Sequence, residues 1–405
     1  MPINMMLRIA WRSLLYRKGS VVLTVAAIAV SVFTLLGTEH IRQAAKHSFN
    51  STISGVDLIV GPRTSDVNLL LTTVFRIGHP SQNMSWRSYQ QLLVDKNVAW
   101  AIPISLGDSH QGFRVVGTEE QFFTHFKYGQ SRALTYTSGQ HFSGLYDVVL
   151  GAQVASKLNY VVNDKLVLAH GLSATSFHQH DTYPYKVVGI LAATGTPVDN
   201  ALYVSLPGLE AIHQKADPTN VGSDHHRLTP TSISATLIGL TSKLAIFKVQ
   251  REINTATNEP LTAILPGVAL TQLWQMSNSL ENTLQLMTSL ILFASLLGLA
   301  AVLIATLRER RYEFSVMRTL GANARTIFLL VQTESLCVAL AGIVFGTITL
   351  IIAIVIGEHL VAAQYGIDIG LTRVTWYQGT TFLYVILGAM FVTTLPALIS
   401  FMSFR

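Results

Sequence analysis

VVLTVAAIAVSVFTLLGT, Val21 to Thr38, runs without a charged residue. Crossing about 30 Å of hydrocarbon at about 1.5 Å per helical residue takes about 20 apolar residues. Three more stretches meet that length. Thr283 to Leu307 is uncharged, Thr326 to Gly357 carries no charge after Glu334, and an uncharged run lies within Val374 to Phe404. Pro396 in the last is tolerable where neighbours satisfy the freed carbonyl. The first stretch is longer than a signal-peptide core and no small-x-small cleavage site follows it, so it reads as a retained anchor.

Short loops give the orientation. Arg8, Arg12, Arg17 and Lys18 precede the first span, and no acid occurs before Glu39. Between the second and third lie Arg308, Arg310, Arg311, Arg318 and Arg325 against Glu309 and Glu313. Lys/Arg-rich short loops stay cytoplasmic, so both termini are expected inside. The resulting plan is a cytoplasmic interfacial helix at 1–19, in which Leu7, Trp11, Leu14 and Leu15 share a face, or a plain basic flank there that fixes topology, and spans at 20–38, 280–307, 326–357 and 376–404. A cytoplasmic helix or loop occupies 308–325 and a short outer loop 358–375. Between the first two spans, 39–279 forms a large extracytoplasmic domain. The expected fold class is four transmembrane α-helices with a large α+β extracytoplasmic domain inserted between the first two.

Composition agrees with that mixture. Of 405 residues, 12% are charged, half the share of ordinary globular proteins. The excess of 28 basic over 22 acidic residues is +6, too weak over this length to imply nucleic acid. One cysteine, Cys337, excludes an internal disulfide framework and reads as a small buried apolar residue.

Within the outer domain, Val56–Val60 before Gly61-Pro62, Phe113–Val116 before Gly117, Val148–Leu150, Lys165–Leu168 and Tyr185–Leu191 read as strands. Gly151–Leu158 and Leu209–Gln214 read as helices, and Gly195-Thr196-Pro197 as a turn. Residues 39–50 and 269–282 are expected to be helical extensions of the first two spans, a stalk. No GxxxxGK[ST], HExxH or GxSxG occurs, so no catalytic constellation is available. His178 and His180 lie two apart, which in an extended chain puts both imidazoles on one side. With His225, His226 or Asp181 they are candidate ligands for Zn²⁺, set against incidental loop histidines.

The most informative stretch is RERRYEFSVMRTLGA, Arg308 to Ala322. Phe314, Met317 and Leu320 recur at helical spacing, Arg311 and Arg318 mark a polar side, and Gly321 fits a helix stop. Such a short amphipathic helix can lie on the membrane or dock in a partner's groove, or be a plain basic loop. Gly342-x-x-x-Gly346 permits close helix approach, between chains or within one. Glu334 is an intramembrane acid, read as a coupling or structural group.

Arg310, Glu313, Phe314, Val316, Arg318, Thr319, Leu320, Gly321 and Ala322, followed by Glu334-Ser335, fit the run R-x-x-E-[IF]-x-[VI]-x-[RK]-[AT]-[LI]-G-A and the later E-S. This resembles the coupling region of bacterial ABC-transporter permeases of the MacB, LolC/LolE and FtsX type. Ala10-Trp11-Arg12-Ser13-Leu14 and the order of spans resemble that family too. The resemblance implies a bacterial inner-membrane permease without catalytic residues. Glu313, Phe314, Met317, Arg318, Leu320 and Gly321 would couple to an ABC ATPase, present in two copies, that uses ATP and Mg. Gly342 and Gly346 would serve helix packing or a homo- or heterodimer with a second permease. Unlike MacB, no nucleotide-binding domain is expected in this chain. Other implied contacts are membrane lipid and a periplasmic adaptor or lipoprotein. Export or extraction by mechanotransmission is the leading expectation. The alternatives are an FtsX-like regulator of a periplasmic hydrolase and a permease of a zinc-linked system using the histidines.

Overall fold

The computed structural model describes residues 12, 15–16, 18–80, 82–129, 131–170, 184–214, 228–309, 311–365 and isolated positions between 383 and 394. The helices used below are α1 (Lys18–Ser51), α2 (Trp86–Leu93), α3 (Ala152–Leu158), α4 (Leu206–Gln214), α5 (Ile246–Asn254), α6 (Pro266–Glu309), α7 (Arg311–Thr319) and α8 (Ala324–Tyr365). The described chain divides into two compact units, one built mainly from 18–44 and 278–360, the other from 45–277 with 361–365.

In the first unit, apolar composition makes the helices and their own hydroxyls keep them satisfied. Thr24, Ser31, Thr34 and Thr38 each donate to the carbonyl four residues back, at 2.7–2.9 Å. In hydrocarbon an unmet polar group costs several kcal/mol, so this local closure is what lets them sit there. Among the described residues, Lys18–Ala44 and Arg325–Gly357 are long and apolar enough to cross a membrane, with mean hydropathies of 2.3 and 2.7. The expected second span lies wholly inside α6, and segments 39–50 and 269–282 are helical as expected. The loop expected from 358 begins as helix, because α8 continues to Tyr365. The interfacial helix at 1–19 and the fourth span at 376–404 fall almost entirely outside the described residues. Ile28, Val32 and Leu36 on α1, one turn apart, bury against Val338, Ile343, Leu350 and Ile354 on α8.

The second unit is α+β. Its main strands are β1 (Leu58–Pro62), β2 (Val98–His110), β3 (Phe113–Thr118), β4 (Tyr136–Gly139), β5 (Asp147–Leu150), β6 (Tyr185–Leu191), β7 (Ala201–Ser205), β8 (Ala235–Leu240) and β9 (Leu261–Ile264). They lie in the order β9-β1-β8-β2-β3-β7-β5-β6-β4, with short strands Lys165–Leu166 beside β6 and Ala169–His170 beside β2. Only β3–β7 and β5–β6 are parallel among these pairs. Strand alternation sorts the core. Ile59, Ile102, Val116, Val149 and Tyr203 join one cluster with Phe122, Phe123 and Phe126. Their neighbours Leu58, Val60 and Ala101 pack with Tyr89, Val249 and Ile253 of α2 and α5. Val115, Val148, Leu150, Leu202 and Val204 pack with Val154, Leu209 and Ile212 of α3 and α4. The strand expected over 165–168 is shorter, Lys165–Leu166.

A buried histidine ties this unit to pH. His110, at the end of β2, has Nδ1 2.6 Å from the Val167 carbonyl and Nε2 3.0 Å from the Tyr160 hydroxyl. A carbonyl only accepts, so Nδ1 carries the proton and Nε2 accepts from Tyr160. Burial pushes the imidazole below the ordinary histidine range, outweighing the Val167 bond, which raises it. The folded state therefore favours the neutral ring. Stability linked to His110 is complete above the unfolded value near about 6.5 and is lost as the pH falls below it toward the folded value. Thermal melts at pH about 7.5 and about 5.5 are expected to show a larger fall for the native chain than for His110→Asn. Equal falls would remove this histidine from the acid sensitivity.

Candidate functional site

Helix α7 and its seat on α8 form the candidate site. The helix ends in a reversal built on Gly321, whose φ is +91°. The Ala322 N–H bonds the Met317 carbonyl at 2.9 Å and the Gly321 N–H bonds that of Arg318 at 3.0 Å. This doubly bonded cap needs a left-handed residue, which glycine adopts without penalty. The helix stop expected at Gly321 is thus present, and α8 starts at Ala324.

The reversal lays α7 against α8. Phe314 is 0% exposed, enclosed by Ile327 and Val331, with Met317 and Phe328 packed around it. Phe314, one of the residues expected to couple to the ATPase, is thus packed against its own chain. Met317 is half-buried in the same pocket. What α7 exposes is another stripe. Tyr312 is 81% and Leu320 82% exposed, and Val316, midway at four-residue spacing, is exposed too. Glu313 and Arg318 flank the stripe and are exposed. Tyr312 was missed in the sequence and Val316 entered only as a motif residue, because the 314/317 pair masks them; the spacing 312, 316, 320 was the available signal.

Glu334 is buried in α8, one turn beyond Val331 of the Phe314 pocket. Ser335 beside it donates to the Val331 carbonyl at 2.8 Å. Cys337 is only half-buried. Farther along α8 the two glycines meet α1. A Cβ on Gly342 would stand 2.6 Å from Ile28 Cγ2, and one on Gly346 would stand 2.6 Å from the Ala29 carbonyl oxygen and 3.0 Å from Val32 Cβ. Of the two uses expected for this pair, packing within one chain is the one seen here, since Ile28, Ala29 and Val32 of α1 stand against both glycines.

Elsewhere in the same unit, Arg42 joins α1 to α6. It donates twice to Glu39, at 2.6 and 2.9 Å, and once to Glu281 at 3.3 Å. The Glu39-x-x-Arg42 spacing was visible in the sequence, but Glu281 is remote in it.

In the second unit the turn at Gly195-Thr196-Pro197 is held by a buried carboxylate. Asp199 accepts from the Thr194 and Gly195 N–H groups and the Thr194 hydroxyl at 2.8–2.9 Å. Burial raises the Asp199 carboxyl above the usual range even so. Arg76 closes over the turn, donating to the Pro197 carbonyl at 2.6 Å and the Tyr203 hydroxyl at 2.7 Å. This is structural anchorage. The candidate metal ligands His178, His180, His225 and His226 lie outside the described residues. Among the described residues, no three His, Cys, Asp or Glu side chains gather as a metal site.

Residues 21–256 match the MacB-like periplasmic core domain, and residues 286–405 match the FtsX-like permease C-terminal domain. The pyoverdine export ATP-binding/permease protein PvdT of Pseudomonas entomophila (strain L48) is 24% identical over 296 residues, 70% of this chain and 41% of that protein. The chain thus spans about two fifths of the length of this curated relative. The periplasmic region of MacB from Actinobacillus actinomycetemcomitans aligns at 10% identity and a TM-score of 0.36, over 55% of this chain and 94% of its own. The extracellular domain of the noncanonic ABC-type transporter YknZ from Gram-positive bacteria aligns at 13% and 0.31, over 52% and 98%.

Proposed function

The chain belongs to the MacB/FtsX-type permease family, and we propose that it is the passive lever of an ABC transporter, driven by ATP hydrolysis in a separate subunit. The 405 residues contain no Walker-type loop, whereas the relative PvdT carries both ATP-binding and permease in its name. ATP and Mg would be held by the partner. Two permeases and two ATPases would form the working unit, with four spans per permease and both termini inside the cytoplasm.

The observation that carries this reading is the split of α7 into two apolar stripes. Phe314 fastens the helix to α8 and leaves Tyr312, Val316 and Leu320 presented outward. A force-bearing contact needs both: a face a partner can grip and an anchor that stops the helix from turning in place. ATPase closure would push α7, α8 would move with it, and α1 would follow through Gly342 and Gly346. Helices α1 and α6 run on as helix into the extracytoplasmic domain, so displacement would reach the substrate there. Export, the direction in PvdT's name, is the direction proposed.

The test is reconstitution with the cognate ATPase. Leu320→Asp is expected to abolish copurification and stimulation of ATP hydrolysis while the permease still folds. Undiminished stimulation would overturn the coupling role of α7.

A further inference from the structure

One side of α5 is ordinary: Val249 and Ile253 are buried beneath the sheet. The other side is exposed and carries Lys248, Arg251 and Glu252, but with an aromatic ring among the charges. Phe247 is 73% exposed, and Leu244, just before the helix, is 94% exposed. Leu93 and Val94 at the end of α2 are exposed as well. The two loops are tied together, since the Asn97 carbonyl accepts from the Thr241 N–H at 2.8 Å and from its hydroxyl at 3.1 Å. Around them stand exposed Lys96, Lys243, Lys248 and Arg251. The nearby acids are engaged locally: Asp95 accepts from Asn97 at 2.8 Å, and Glu252 lies 3.8 Å from Lys248.

This tip sits at a particular end of the sheet. Leu58, which opens β1, pairs with Ile238, and Ile264, which closes β9, pairs with Ile59. Leu240 at the end of β8 pairs with Val98 at the start of β2, and its N–H bonds the Asp57 carboxylate at 2.8 Å. The chain therefore arrives from α1 and departs into α6 at the sheet end that carries the tip.

We propose that this tip docks on the anionic phospholipid headgroup layer of the membrane that anchors the chain. Leu244 and Phe247 enter the headgroup zone while the lysines pair with lipid phosphates. Apolar and aromatic side chains flanked by Lys and Arg are the composition that favours the bilayer interface, and basic groups gain from an anionic surface within a Debye length. The inference rests on the family membership that anchors the domain, and is independent of the ATPase contact.

The experiment uses the full chain in nanodiscs. Cys337→Ser with Leu244→Cys carries an environment-sensitive fluorophore, and nitroxide-headgroup lipids serve as quencher. Val161→Cys, at an exposed position in the loop before Lys165–Leu166, is the control. Quenching at position 244 is expected to exceed that at 161 severalfold in discs containing anionic lipid. It is expected to fall to the control level in zwitterionic discs, or when Lys96→Glu, Lys243→Glu and Lys248→Glu are combined. Stimulation of the ATPase is read in parallel, so loss of docking with coupling intact is distinguishable from failure of the transporter reading. Equal quenching at the two positions, or shielding of the probe only when another protein is added, would overturn the proposal.

Discussion

Gly346→Leu is expected to part α1 from α8 and to remove most of the correctly folded protein from detergent extracts. The first carbon of any side chain there would meet the Ala29 carbonyl oxygen at 2.6 Å and Ala29 Cα at 3.2 Å, both backbone, with Val32 Cβ at 3.0 Å. None of these can swing aside by changing rotamer. Overpacking costs about 1–3 kcal/mol in cores that can yield, and a seam made by backbone yields least. Lipid offers no hydrophobic drive to press the helices back together, so close packing is what holds them. Gly298 in α6 supplies the control, because a Cβ there meets nothing within 4 Å. Thermal melts and extraction yields should separate the two, with Gly298→Leu near the native chain. Equal behaviour would mean that the α1–α8 contact is not formed in the membrane.

Leu320→Asp is expected to act the opposite way, sparing the fold and removing the coupling. Exposed substitutions away from special contacts change stability by only about 0.5 kcal/mol, and Leu320 is 82% exposed. Its N–H bond to the Val316 carbonyl, 3.1 Å, is a backbone bond that the substitution leaves in place. An apolar hot spot in a partner's cleft contributes about 2 kcal/mol or more, and an aspartate there adds the desolvation of a charge. ATPase stimulation should therefore fall by about thirtyfold or more. Phe314→Ala makes the contrast. It empties an enclosed pocket, and about 3–5 kcal/mol is the usual loss for such a ring, so melting temperature drops before coupling can be judged. If Leu320→Asp melts like Phe314→Ala, position 320 is structural and the stripe has been misread.

The sequence disclosed the helices more fully than the sheet. Runs without charge mark α1 and α8 because hydrocarbon allows little else, and Tyr185–Leu191 is a strand end to end. Strand β2 escaped notice. Pro103 interrupts it, and Ser105 to His110 looks like loop. The sheet accepts that polar stretch by a register shift between Leu106 and Ser109, a bulge that spends extra residues against β3. The coupling helix was visible as a helix but not as a surface. Two apolar stripes wind around α7, and only the fold decides which one Ile327 and Val331 cover. The glycine pair likewise announced a close approach without naming the helix, which Ile28 and Ala29 of α1 supply.

The lever account is tested most directly by where position 320 faces. In a Cys337→Ser background, Leu320→Cys should react with a membrane-impermeant maleimide in inverted vesicles and not in intact cells, and bound ATPase should shield it. Reaction from the outer face, or unchanged reaction with ATPase bound, would contradict the account.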